Sequence, residues 1–189
     1  MSLISDILGH NRQFVEKKEY EPLRAQPASQ PRLVVLTCMD TRLMELLPRA
    51  MNLRPGDAKI IKNAGAIVSH PFGSIMRSIL VAIYELGAGE VAVVGHHDCA
   101  MTGLNSQRIL DKVRERGVSG QVLSRLRNAG VDFQRWLSGF DTVENGVRQS
   151  VQTIRDHPLL PRGVPVHGLI IHPETGKLDW IADGYSSGT

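Results

Sequence analysis

Short, continuous runs of apolar residues recur along the chain, and polar or turn-forming residues separate them. Apolar runs of about four to eight residues are typical of strands that are buried on both faces of a parallel sheet. They predict four strands, at residues 33–37, 58–62, 90–95 and 166–171. A turn at residues 173–176 then leads into residues 177–182, for which we expect an edge strand.

Apolar residues at helical spacing lie between the predicted strands. They predict helices at residues 43–51 and 74–86, an interrupted helical region over residues 101–137, and a helix that begins near residues 141–144 and ends near residue 156. We expect Gly87 to cap the second of these helices. The interruptions are expected near Gly117, Gly120 and Gly130, because glycine weakens a helix.

The first 32 residues have a different pattern. Ile4, Ile7, Leu8 and Val15 are spaced as on one face of a helix, which predicts a helix over residues 3–18. Residues 21–32 contain three prolines and are typical of a linker or arm. We expect residues 1–32 to form an N-terminal helix and arm that pack on a neighbouring subunit, and residues 33–189 to form one globular domain.

Composition narrows the range of functions. A chain of 189 residues suits one domain. The net charge of +3 is too small, and its basic residues too scattered, to indicate a nucleic-acid partner. No apolar run approaches the roughly 20 residues that span a bilayer, so no membrane partner is expected. The N-terminus does not resemble a signal peptide, which favours a cytoplasmic location.

Two cysteines occur in motifs with other chemically active residues. The first motif is Cys38-Met39-Asp40-Thr41-Arg42, and the second is His96-His97-Asp98-Cys99. In a reducing compartment two distant cysteines are more often metal-bound or free than joined in a disulfide. Each motif follows a predicted strand, at the sheet edge where open α/β folds bind ligands.

Two thiols and an imidazole form a ligand set that suits Zn²⁺. Three protein ligands leave the fourth tetrahedral position open, as in catalytic zinc sites. The spacing His-x-x-Cys allows His96 and Cys99 to reach one metal from a single turn, although ligation by His97 remains an alternative. Cys38 taken alone would be read as an ordinary buried thiol. The combination of the two motifs favours a zinc hydrolase or hydratase.

The motifs Cys-Met-Asp-Thr-Arg, Lys-Asn-Ala-Gly and Gly-His-His-Asp-Cys resemble those of the β-class carbonic anhydrases, in particular the compact bacterial and archaeal branch. The resemblance runs from about Leu33 to Ile171. It implies an α/β fold with a mainly parallel sheet flanked by helices, and a dimer as the basic unit. It also implies site residues: the zinc ligands Cys38, His96 and Cys99, and the catalytic pair Asp40 and Arg42.

The function that this resemblance implies is the reversible hydration of CO₂ to bicarbonate by hydroxide formed on one zinc ion per chain. Asp40 would orient the hydroxide, and Arg42 would hold Asp40 ionised. Two positions depart from the family's usual pattern, with Thr41 in place of serine and Ala100 in place of glycine. Two alternatives share the same motif. One is hydrolysis of a related linear molecule, CS₂ or COS, and the other is a zinc-binding relative without catalysis.

Overall fold

A five-stranded sheet forms the centre of the computed structural model, which describes residues 2–24 and 32–186. The strands lie in the order β2-β1-β3-β4-β5. The first four are parallel to one another, and β5 runs antiparallel to β4 at one edge. Their bounds are β1 Leu33–Cys38, β2 Ala58–Asn63, β3 Glu90–His96, β4 Val166–Ile171 and β5 Leu178–Ala182. The predicted strands and the predicted α/β fold with a mainly parallel sheet are confirmed.

Seven α-helices are described, and they occupy the predicted helical segments. Their bounds are α1 Leu3–Glu16, α2 Leu43–Ala50, α3 Ser74–Tyr84, α4 Ser106–Glu115, α5 Gly120–Asn128, α6 Phe133–Leu137 and α7 Val143–Arg155. Gly117 and Gly130 break the region between β3 and α7, each with positive φ. The predicted interruption near Gly120 lies directly before that residue, which begins α5. In the described part of the chain, none of these helices is long and apolar enough to cross a membrane.

The main core lies between the sheet and its flanking helices. Strands β1 and β3 are almost entirely buried, as expected for the central strands of a parallel sheet. Helix α3 contacts β1 and β2, and α7 contacts β3, β4 and β5. A second, smaller cluster joins α4, α5 and α6 through Leu110, Leu123 and Phe133.

Two glycines allow α7 to lie close to the sheet. A Cβ atom at Gly95 of β3 would lie 2.7 Å from one methyl group of Val147 and 2.8 Å from a methyl group of Val143. A Cβ atom at Gly168 of β4 would lie 2.8 Å from the other methyl group of Val147. Real Cβ atoms do not approach other atoms so closely, so both positions require glycine if α7 is to stay in place.

The N-terminal helix α1 has no buried residues. Ser2 caps it by accepting a hydrogen bond from the Ser5 N–H at 3.3 Å. Ile4, Ile7, Leu8 and Val15 are each more than half exposed. After a short 3₁₀ turn at Glu21–Leu23, most of the predicted arm, including Pro27 and Pro31, lies outside the described residues. Packing of this segment on a partner therefore stays a prediction, as do the boundaries at residues 1–32 and 33–189.

The close packing of α7 leads to a prediction. Gly95→Ala should destabilise the protein by about 1–3 kcal/mol, because the added methyl group overpacks a filled contact with Val143 and Val147. Gly120→Ala is the matched control, because nothing lies within 4 Å of a Cβ atom at that position. Chemical denaturation of both variants measures the difference. Equal stability of the two variants would show that α7 can shift without cost.

Candidate metal centre

Three potential metal ligands meet at the carboxyl edge of the sheet. Cys38 is the last residue of β1 and His96 the last residue of β3. The two strands are parallel neighbours, with Thr37 paired to Val94, so their ends meet at one edge. Cys99 follows in the loop after β3. The ligand atoms of these three buried residues lie within 4.8 Å of one another, and the two sulfur atoms are 3.9 Å apart.

The loop after β3 has the conformation that returns Cys99 to the site. Asp98 adopts a left-handed conformation with φ of 56°, which aspartate tolerates better than most residues. The N–H of His97 donates to the carbonyl of Ile171 on β4 at 3.2 Å, and the N–H of Thr102 donates to the carbonyl of Cys99 at 3.0 Å. These bonds fix both ends of the turn, so the spacing His-x-x-Cys becomes a fixed pair of ligands.

His96 presents one nitrogen to the site. Its Nδ1 lies 2.8 Å from the backbone carbonyl oxygen of His97. An N–H is needed at Nδ1 to make this hydrogen bond, which leaves a lone pair on Nε2. Nε2 is buried and has no hydrogen-bond partner in the described structure. A buried nitrogen lone pair without a partner is costly, and a metal ion between His96 and the two thiols would satisfy it.

The two thiols lie within hydrogen-bonding distance of each other, and this contact shifts their pKa values in opposite directions. The hydrogen bond between them is the main reason that the pKa of Cys38 falls to about 4, and the Gly65 N–H, 3.4 Å from the Cys38 sulfur, lowers it further. The same thiol–thiol bond, reinforced by burial, raises the pKa of Cys99. Cys38 is therefore the sulfur that loses its proton more readily. A divalent cation would displace the thiol protons, and two sulfurs with one imidazole nitrogen are ligands that zinc prefers.

Asp40 and Arg42 form a clamped ion pair beside these ligands. Arg42 Nε donates to Asp40 Oδ1 at 3.0 Å, and Nη2 donates to Oδ2 at 2.9 Å. The backbone N–H of Arg42 donates to Oδ1 as well, at 2.9 Å. The Arg42 side-chain bonds are the main reason that the pKa of Asp40 falls to about 2. Asp40 Oδ2 lies 3.8 Å from His96 Nε2, so a fixed carboxylate faces the position that a metal would occupy.

A cavity of about 410 Å³ opens onto these groups. Besides the ligands and the Asp40–Arg42 pair, it is lined by Met39, Thr41, Ala64, Ala100 and Met101. Both departures from the usual motif, Thr41 and Ala100, thus face the site. The lining of this cavity is largely apolar, so a small uncharged molecule can be accommodated next to the ligands.

The turn after β2 contacts the candidate metal centre through a backbone N–H group. Asn63 closes this turn by donating from Nδ2 to the Ile67 carbonyl at 2.6 Å and accepting the Ile67 N–H at 3.1 Å. Gly65 takes a positive φ of 81° and points its N–H at the Cys38 sulfur, 3.4 Å away. This backbone donor therefore acts on one of the candidate ligand sulfurs.

Two other histidines, His97 and His167, lie outside the ligand cluster. His97 lies outside the ligand cluster, and its ring faces that of His172 at 5.7 Å. This placement favours His96 over the alternative ligand. His167 lies in β4, and only one of its two ring nitrogens has a hydrogen-bond partner in the described structure. Its Nδ1 accepts the Gly184 N–H at 3.0 Å, whereas its buried Nε2 has no hydrogen-bond partner in the described structure.

Known proteins are similar to this chain in both fold and sequence. The family model described as "Carbonic anhydrase" matches residues 33–178. The chain belongs to the β-carbonic anhydrase family. The resemblance found in its motifs is therefore confirmed.

Individual relatives show how far the family similarity extends. The chain is 60% identical over 187 residues to "Putative carbonic anhydrase YvdA" of Bacillus subtilis, covering 99% of this chain and 95% of that one. The crystal structure of β-carbonic anhydrase isoform I from Trichomonas vaginalis is 33% identical and superposes with a TM-score of 0.87, covering 98% of this chain and all of that one. A carbon disulfide hydrolase of Acidithiobacillus thiooxidans is 27% identical, covering 93% and 87%.

The ligand geometry leads to a prediction about metal content. Cys99→Ser should lower zinc occupancy and thermal stability together, because it replaces a soft ligand and weakens a metal that binds only the folded state. His97→Ala should retain zinc, because its ring lies outside the cluster. Elemental analysis and thermal unfolding before and after chelation measure both effects. Zinc loss in His97→Ala with retention in Cys99→Ser would show that the ligand set is wrong.

Proposed function

We propose that this chain catalyses the reversible hydration of CO₂ to bicarbonate with one zinc ion held by Cys38, His96 and Cys99. The observation that carries the proposal is the buried, unpartnered Nε2 of His96 between two thiols, with the Asp40 carboxylate 3.8 Å away. A purely structural zinc site needs no clamped carboxylate beside it and has four protein ligands. Membership of the β-carbonic anhydrase family supports the same reaction.

The residues around the ligands have separate tasks. Zinc, when bound, would supply Lewis-acid activation of water at the edge of the sheet. Asp40 would accept a hydrogen bond from the reacting water and so direct its lone pair toward CO₂. Arg42 bonds both oxygens of Asp40, which keeps the carboxylate charged and prevents its rotation. The apolar wall that includes Met39, Ala64 and Met101 would hold CO₂, which carries no charge.

Asp40 provides the sharpest test of the chemistry. Asp40→Asn should leave about one zinc per chain, because it removes no proposed ligand. CO₂ hydration measured by stopped flow should fall by roughly 10²-fold or more, because the amide cannot accept and orient as the carboxylate does. Asp98→Asn is the matched control, since asparagine also tolerates the left-handed conformation of residue 98. Full activity of Asp40→Asn would reduce Asp40 to a structural partner of Arg42.

The pH profile is expected to rise from neutral to alkaline conditions. Two thiolates offset the charge of zinc, so the bound water should be less acidic than in a three-histidine site, where it titrates at about pH 7. Asp40 does not cause this rise. Its pKa of about 2 is lowered by Arg42, so the ion pair is complete above the usual carboxyl range and is lost only as the pH falls through about 2. A profile that is flat or falls toward alkaline pH would contradict this expectation.

Hydrolysis of CS₂ or COS is the second candidate, because a carbon disulfide hydrolase is among the relatives and the cavity wall is apolar. Parallel assays with CO₂, COS and CS₂ on the zinc-loaded protein distinguish these substrates. Failure of all three would favour the third possibility, a zinc-binding relative without catalysis. We also infer a cytoplasmic location, where reducing conditions keep Cys38 and Cys99 available as ligands.

We infer further that the chain assembles as a homodimer or a multiple of dimers. The support is the apolar stripe of α1, where Ile4, Ile7, Leu8 and Val15 are each more than half exposed. A second copy could cover such a stripe. Light scattering should give at least twice the chain mass of 20.8 kDa. A monomeric mass at working concentration would contradict the inference.

A further inference from the structure

Two cavities meet next to the candidate metal centre. The first is the metal cavity of about 410 Å³, which opens onto the three candidate ligands. A second cavity of about 620 Å³ lies between the turn after β2, the segment around residues 135–140 and α7. Its lining is more polar and includes Ser69, Gln149 and Thr153. Ala64 and Met101 line both cavities, so these two residues form the partition between them.

Hydrogen bonds hold the backbone of Met101 in place at the partition between the two cavities. Its carbonyl accepts the Phe140 N–H and the Leu104 N–H, both at 3.3 Å. A Cβ atom at Gly139 would overlap the Met101 carbonyl oxygen, so glycine is needed there for the two segments to approach. Met101 also follows Cys99 by two residues. A main chain that is held in this way leaves only the side chain free to change the partition.

The side chain of Met101 supplies the bulk of the partition, because Ala64 has only a methyl group. Met101 Cγ lies 2.9 Å from the position of a Cβ atom on Gly65. It therefore packs directly against the residue whose N–H reaches Cys38. Methionine is unbranched and fills irregular gaps, which suits a wall between two spaces of different polarity.

We propose that Met101 is a specificity-determining residue, which separates the metal cavity from the polar cavity and restricts the metal site to small linear molecules. With the side chain in place, a ligand at the metal meets an apolar wall. With the side chain shortened, the two cavities join, and a ligand with an aromatic ring can extend into the second one. The substrate class named here rests on the proposed function. The partition itself requires only a metal ion at the three ligands.

The test uses the Co²⁺-substituted protein and follows ligand binding through the visible spectrum of the metal, without turnover. Azide is the small linear probe and benzenesulfonamide the bulky one. Met101→Ala should increase the affinity for benzenesulfonamide by roughly tenfold or more, which is the usual effect of space for an added apolar group. Affinity for azide should change by less than about twofold, because azide does not reach the partition.

Two variants serve as controls. Met39→Ala removes the same atoms from the metal cavity, but Met39 does not line the second cavity and its side chain is 64% exposed. It should leave the ratio of the two affinities unchanged. Met101→Leu keeps a side chain of similar volume and should retain the ratio of the parent protein. If Met101→Ala fails to hold Co²⁺, Met101→Val removes less volume and should shift the ratio in the same direction by a smaller factor.

The outcomes are distinct. An unchanged ratio in Met101→Ala, or in Met101→Val where the alanine variant does not fold, would overturn the proposal. An equal shift in Met39→Ala would overturn it too, because the effect would then belong to the metal cavity in general. Absence of CO₂ hydration in the parent protein would remove the proposed function, yet the shift in the ratio would still support the partition.

Discussion

The parallel pairing of β1 with β3 is the constraint on which the site depends. Because Thr37 pairs with Val94, the two strands end side by side, and their last residues are Cys38 and His96. A shift of one residue in this register would move one of the two ligands by about 3.3 Å along the strand direction relative to the other. Cys38 and His96 are thus held by the ends of two buried strands rather than by a loop. Cys99 is the exception, and the turn at Asp98 holds it.

The charges at this edge are arranged in two layers. The inner layer is a pair of sulfurs and an imidazole nitrogen, which together form a ligand set that could hold a metal ion. The outer layer is Asp40, whose two oxygens are both bonded to Arg42. Arg42 in turn is exposed and lies in the field of Asp98 and Glu174. Arg42 therefore keeps Asp40 ionised, and Asp40 in turn faces the position that a metal ion would occupy.

The sequence predicted the strands and the main site residues because both have strong local signals. An apolar run identifies a buried strand, and the pairs Cys38 with Asp40 and His96 with Cys99 stand directly after such runs. In the sequence, the prediction of His96 rather than His97 as the ligand depended on the number of residues between the histidine and Cys99. Ligation by His97 remained an alternative. The structure favours His96 through a backbone hydrogen bond to Nδ1, for which the sequence contains no signal.

Other features depended on contacts between distant segments. Gly65 is recognisable as a turn residue, but its bond to Cys38 arises only when β2 lies beside β1. Met101 has no pattern that would distinguish it from an ordinary core methionine, and its position between two cavities depends on the bonds to Phe140. A binding partner for α1 could not be identified from the sequence, because an apolar stripe indicates a face suited to burial without specifying what would cover it.

Helix α7 provides none of the proposed ligands, yet its distance from the sheet is linked to the site. Val147 touches the positions of both Gly95 and Gly168, so one side chain spans the junction of β3 and β4. Gly95 directly precedes His96. A larger residue at position 147 would push the helix away from two strands at once, and a smaller one would leave a gap beside the strand that ends in a ligand. The size of the residue at position 147 of α7 therefore helps to keep the His96 imidazole next to the two thiols.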